Sequence, residues 1–75
     1  MKDLVEFIAR SLVDDPDSVR VAEIESDQLT TYEIEVAPDD VGKLIGRQGR
    51  IVKAIRSVVR AAGARQGKRV TVEVV

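Results

Sequence analysis

The chain has 75 residues, no cysteine, no histidine and an apolar share of 44%, with Phe7 and Tyr32 as its aromatic side chains. That is the size of one small domain, residues 1–75, whose core must come from Val, Ile and Leu without disulfide or zinc staples. The usual general base, the thiolate nucleophile and the soft metal ligands are excluded, and no apolar run approaches the roughly 20 residues that span a bilayer.

No catalytic residue, metal, cofactor or membrane insertion is therefore expected, and the cytoplasm is the expected location. The net charge of −1 conceals a strong asymmetry. Residues 1–40 carry three basic and twelve acidic groups, a net of −9; residues 41–75 carry nine basic groups and one acid, Glu73, a net of +8. A basic half of this kind points to an anionic partner, nucleic acid above all. The competing reading is two complementary halves that attract each other across the fold.

Lys2 to Val13 reads as a helix with Leu4, Val5, Ile8 and Leu12 on one face and Glu6 and Arg10 as an i,i+4 pair on the other. Asp14-Asp15-Pro16-Asp17 breaks it; these carboxylates lack calcium-loop spacing and read as a turn. Ser18 to Glu25 reads as a strand in which Val19, Val21 and Ile24 break strict alternation, which a bulge or a late start would explain. After a turn at Ser26-Asp27-Gln28, Tyr32, Ile34 and Val36 alternate with Glu33 and Glu35, giving a strand with one acidic, wet face. Ala37-Pro38-Asp39-Asp40 starts a short helix that ends at Gly46. A longer helix follows Gly49 and runs to about Ala62, with Ile51, Val52, Ile55, Val58, Val59 and Ala62 on one face and Gly63 as its cap. Arg65 to Arg69 form a basic loop, and Val70, Val72 and Val74 alternate as a last strand. The order is helix–strand–strand–helix–helix–strand. Two helices between the second and third strands allow a parallel crossover, whereas the first two strands should pair antiparallel. The fold class is α+β, a three-stranded mixed sheet with the helices on one face and Glu33, Glu35 and Glu73 on the other.

The chemistry concentrates in the run from Val41 to Val52, where Gly46-Arg47-Gln48-Gly49 joins two helices. Glycines permit a tight turn and leave backbone N–H groups open to a phosphate, and the next helix directs its positive end at the same place. Lys43, Arg47 and Arg50 add formal charge. The segment is neither of the nucleotide-binding glycine motifs, G-x-G-x-x-G after a strand or G-x-x-x-x-G-K-[ST].

The string Ile45-Gly46-Arg47-Gln48-Gly49, followed by Val52 and Ile55, resembles the KH-domain signature, whose GXXG loop clamps about four nucleotides of single-stranded RNA or DNA. The element order is similar to the type II KH arrangement (αββααβ). The run from Ala37 to Arg50, the Arg-Ala-Ala segment and the chain length resemble the KhpA family of small bacterial RNA-binding proteins. The resemblance spans nearly the whole chain and is most specific from Ala37 to Ala62. It implies a cytoplasmic single-stranded RNA binder, an RNA chaperone or post-transcriptional regulator, linked to cell shape and cell-wall homeostasis. It also implies a homodimer, or a heterodimer with a larger KH protein of the KhpB (Jag) type. On this resemblance Gly46 and Gly49 form the clamp and Arg47 and Gln48 face phosphates. Lys43, Arg50, Lys53 and Arg56 line the backbone path. Bases lie over Val41, Ile45 and Val52, edged by the middle strand.

Each assignment has a plainer counterpart. One glycine can serve a structural turn, but two glycines flanking Arg-Gln favour the clamp. Lys53, Arg56 and Arg60 can be a solvated helix face, and Arg65, Lys68 and Arg69 read as a solvated loop in preference to a second site. Ala54, Ser57 and Ala61 form a small-residue strip that would admit a second helix. The alternative function is a protein-interaction module that uses a KH scaffold to dimerise. Such a scaffold tends to lose its glycines or to place acids between them, and this chain does neither. An enzyme using carboxylates is disfavoured because Glu73 is the one acid in the basic half.

Overall fold

Period-two alternation of Val, Ile and Tyr produces two of the three strands, and all three turn their buried side chains to the side the helices cover. The computed structural model describes residues 1–75 as α1 (Lys2–Leu12), β1 (Arg20–Glu25), β2 (Thr30–Glu35), α2 (Val41–Ile45), α3 (Arg50–Arg65) and β3 (Val70–Val74). Three short 3-10 turns lie at Pro16–Ser18, Pro38–Asp40 and Arg47–Gly49. The sheet order is β1-β2-β3, with β1 antiparallel and β3 parallel to β2. This is the α+β architecture and mixed sheet expected. Val21, Tyr32, Ile34, Val70 and Val72 are buried on the helix-covered face. Glu33 and Glu73 are register partners on the opposite, open face. The irregular spacing in β1 resolves as a late start. Pairing runs unbroken from Arg20 opposite Glu35 to Glu25 opposite Thr30, which leaves no bulge and puts Ile24 on the open face.

Two helices depart from their sequence patterns. α1 buries Val5 and Ala9, while Leu12 and Phe7 are exposed, Phe7 by 70%. Its inward face is thus rotated away from the Leu4–Leu12 line, toward Val5 and Ala9. The expected Glu6–Arg10 pair forms at 3.3 Å. α3 does not stop near Ala62 with Gly63 as cap. It continues to Arg65, and Gly63 is buried inside it because a Cβ there would lie 2.7 Å from Val70 Cγ2. The terminating glycine is Gly67, at φ +71°. The N–H groups of Lys68 and Gly67 donate to the carbonyls of Gly63 and Ala64 at 2.8 and 3.1 Å, a Schellman closure.

The short α2 depends on one carboxylate. Five residues are too few for a helix to persist alone, and α2 has Leu44 in the core and Asp40 at its start, 2% exposed. Asp40 does not cap its own helix. The backbone N–H groups of Asp14 and Asp15 donate to its Oδ1 and Oδ2 at 3.2 and 3.1 Å, and Lys43 Nζ donates to Oδ1 at 3.1 Å. Lys43 Nζ also pairs with Asp14 Oδ2 at 2.6 Å. Burial pushes the Asp40 carboxyl up, but the two backbone donors and the Lys43 ammonium outweigh it and hold the group below its ordinary value. Hydrogen bonds to Asp14 and Asp40 push Lys43 up.

A depressed carboxyl stabilises the fold above its unfolded value of 3.8, and that share is lost as the pH falls through the lower folded value. Lys43 contributes below its unfolded value of 10.5 and loses its share as the pH rises through the higher folded one. Asp40→Asn is therefore expected to be less stable than the wild type at pH 7, with the gap closing below about pH 3.8. Urea titrations at pH 7, 4 and 2.5 check this; a gap that is constant with pH contradicts the role given to Asp40.

Candidate nucleic-acid interface

The corner between α2 and α3 is fixed by backbone conformation. Gly46 adopts φ +73°, ψ 173°, a region essentially restricted to glycine. A Cβ there would also lie 2.5 Å from Ile51 Cγ1. Gly49 is left-handed at φ +72°, ψ 17°, and a Cβ there would meet nothing nearer than Lys53 Cε at 3.9 Å. The turn thus requires a glycine at 46 for both conformation and contact, and at 49 for conformation alone. Between them Gln48 is the one non-glycine residue of the chain at positive φ, with φ 58°, ψ 25°. Such a conformation costs about 1–3 kcal/mol and persists where the surroundings over-determine it. The Gly49 N–H donates to the Gly46 carbonyl at 3.1 Å, and Arg50 Nη2 donates to Gln48 Oε1 at 3.1 Å. Arg47 and Gln48 are exposed, and no side chain caps the first turn of α3.

The three proposed groove residues lie beside this corner. Val52 is buried yet stands outside the main core cluster, Val41 is half-buried and Ile45 is 38% exposed. The middle strand is expected at their edge; α2 and α3 both pack along β3, an outer strand of the sheet. The reason is the parallel crossover, which returns the chain to the far side of β2 and leaves β3 as an edge. Arg56 Nε donates to the Val72 carbonyl at 2.8 Å and so occupies part of that edge.

The basic residues divide into three groups. At about 100° per residue, Lys53, Arg56 and Arg60 share an arc of about 60° on the β3 side of α3. Arg50 lies on the other flank and lines an apolar groove between α1 and α3. Lys43 is held by Asp14 and Asp40, so its charge is already matched. Sequence spacing grouped Lys43 and Arg50 with the others. The Asp40–Lys43 spacing of three was the available sign of that pairing, whereas Asp14 is distant in sequence. Asp40 itself went unnoticed as an anchor because its partners are backbone N–H groups. Lys43 is the one cation of residues 41–75 in an ion pair. Mutual attraction of the two halves therefore does not explain the basic surface.

Residues 2–74 match the sequence profile of the family described as "KhpA/KhpB, KH domain". The chain is 55% identical over 75 residues to the RNA-binding protein KhpA of Clostridium acetobutylicum, covering all of both chains. It is 47% identical over 74 residues to the RNA-binding protein KhpA of Aquifex aeolicus, covering 99% of this chain and 94% of that one. In fold it is similar to a crystal structure of a variant of Aquifex aeolicus Era bound to GDP.AlF4-, with a TM-score of 0.72 at 22% identity. That match covers 97% of this chain and 28% of Era. The matching family and the two KhpA relatives are named for a KH domain and for RNA binding, not as an enzyme family, and no helix of this chain is long and apolar enough to cross a membrane. With the αββααβ order and the glycine turn between its second and third helices, the chain belongs to the KhpA/KhpB family of KH domains.

Proposed function

We propose that this protein binds single-stranded RNA, with Gly46-Arg47-Gln48-Gly49 as the phosphate clamp. The observation that carries this reading is the exposed Arg47-Gln48 pair, with Gln48 held in a left-handed conformation, at the uncapped start of α3 beside cations that no carboxylate neutralises. Lys53 and Arg56 continue the backbone path, and Val41, Ile45 and Val52 offer an aliphatic surface to bases. With no aromatic ring there, base contact is by van der Waals packing and edge hydrogen bonds, and affinity for a short strand is modest. The relatives' names support RNA as the ligand. A role as an RNA chaperone or post-transcriptional regulator, a cytoplasmic location and a link to cell shape and the cell wall rest on the family resemblance alone.

Replacing Arg47 and Gln48 together with Asp tests the clamp. Asp tolerates the left-handed conformation of position 48 and disturbs no buried group. Affinity for a short single-stranded RNA is expected to fall at least about tenfold, because one lost charged hydrogen bond alone costs roughly 1.5–3 kcal/mol. The melting temperature is expected to move little. Fluorescence anisotropy and thermal melts measure both, and affinity within twofold of the wild type rejects the clamp.

A second reading, the dimerisation module, is favoured by the groove between α1 and α3. Leu4, Phe7, Leu12, Ile51, Ala54 and Val58 line it, with Phe7 70% and Val58 52% exposed. This face is more apolar than the Ala54-Ser57-Ala61 strip beside it and is the better candidate for a second copy or a KhpB (Jag)-type partner. A second chain supplies a second clamp, and two linked sites raise avidity by about 10²–10⁴. Val58→Glu places a charge at the centre of the groove without touching the core. Analytical ultracentrifugation at tens of micromolar is expected to show a dimer for the wild type and a monomer for Val58→Glu. A wild-type monomer, or a variant that still dimerises, removes this face from consideration.

A further inference from the structure

The basic stripe on α3 does not end at Arg56. It leads to a cavity of about 510 Å³ at the far end of the helix, lined on its polar side by Arg60, Lys68 and Arg69 and on its apolar side by Leu29, Ala64 and Val70. Building on the RNA-binding reading, we infer that this cavity is a second phosphate site. A strand held at the glycine turn would run along the groove between α3 and β3 and be anchored here again.

Four observations converge on this. The loop that carries Lys68 and Arg69 is not a free solvated segment. The Schellman closure fixes it to Gly63 and Ala64, and the Arg69 carbonyl accepts the Thr30 N–H at 3.0 Å, so both cations project from a set backbone. Arg60, Lys68 and Arg69 form no ion pair, so their charge is available. Lys53, Arg56 and Arg60 follow one another up the same side of α3, and Arg56 is steadied by the Val72 carbonyl, giving a continuous cationic path between the sites. Finally, the path has acidic borders. Glu25 and Asp27 share a separate cleft with the outer side of Lys68 and Arg69, and Glu33 and Glu73 mark the open sheet face. A polyanion approaching the far end is steered onto the α3 side.

Length makes the arrangement testable. From Gly49 to Arg60 and Ala64 the rise is about 16–22 Å at about 1.5 Å per residue. The clamp itself engages about four nucleotides, and further nucleotides are needed to cover that distance. A four-nucleotide RNA held at the clamp leaves no nucleotide to reach the far end, whereas one of twelve nucleotides does.

The experiment compares these two lengths of unstructured RNA on the full chain and on a triple variant, Arg60→Gln with Lys68→Gln and Arg69→Gln. All three side chains are on exposed residues, and melting curves verify the fold. The triple variant is expected to bind the twelve-nucleotide RNA at least tenfold more weakly than the wild type and the four-nucleotide RNA within twofold of it. For the wild type, log K against log salt is expected to steepen by about 1.4–2.1 between the two lengths, as two or three further phosphates are engaged at about 0.7 each. The variant loses that increment. A variant that keeps the wild-type length dependence overturns the inference and assigns the gain to the clamp of a second subunit. If the wild type binds neither length, the RNA-binding reading fails and this inference fails with it.

Discussion

The buried carboxylate of Asp40 is the constraint on which the rest of the site depends. It gathers two backbone N–H groups from the loop after α1 and the ammonium of Lys43, and so joins the start of the chain to the start of α2. Because α2 is only five residues long, its direction is set by this anchor and by Leu44 in the core. The direction of α2 in turn sets where Gly46 meets Ile51, and hence how the turn presents Arg47 and Gln48. An apolar residue at 40 would satisfy burial but remove the acceptor of two part-buried backbone donors and the partner of the Lys43 ammonium. A charge is retained in the interior here because three donors converge on it.

Much of this organisation was legible in the sequence. Strand alternation, the parallel crossover and the position of the glycine turn follow from period and spacing, which are local properties of the chain. What could not be read depends on close approach between distant residues. Gly63 looked like a cap because glycine after an apolar run usually is one, yet its role is to let Val70 approach α3. The rotation of α1 toward Ala9 depends on the sheet it rests against, and the capture of Lys43 by Asp14 depends on a loop that folds back across 29 positions. Arg50 is a different case. Its separation from Arg56 was available from helical periodicity and was obscured by proximity along the chain.

The charge distribution acquires a physical role once ion pairs are counted out. Eight of the nine cations in residues 41–75 face no carboxylate within pairing distance, so they repel one another and destabilise the free protein to some degree. Glu33 and Glu73, side by side across β2 and β3, do the same on the opposite face. Segregating the signs, instead of interleaving them, gives up small pairwise gains that exposed ion pairs would have supplied. It creates in exchange a surface with one side attractive to an anion and one side repulsive.

α3 then carries three separate tasks on one cylinder. Val52, Ile55 and Val59 face the core, Ala54 and Val58 face the groove against α1, and Lys53, Arg56 and Arg60 face the β3 edge. At about 100° per residue, Val58 lies about 160° round the helix from Arg56 and from Arg60. A partner seated on the apolar flank therefore does not cover the basic one, and a strand on the basic flank does not cover the groove. Arg50 borders both surfaces, lining the groove and donating to Gln48, so a partner in the groove reaches the edge of the clamp while leaving Lys53, Arg56 and Arg60 open. On the proposed reading, a second copy seated on the apolar flank would bring a second clamp to the same strand, and a small site would gain affinity through pairing.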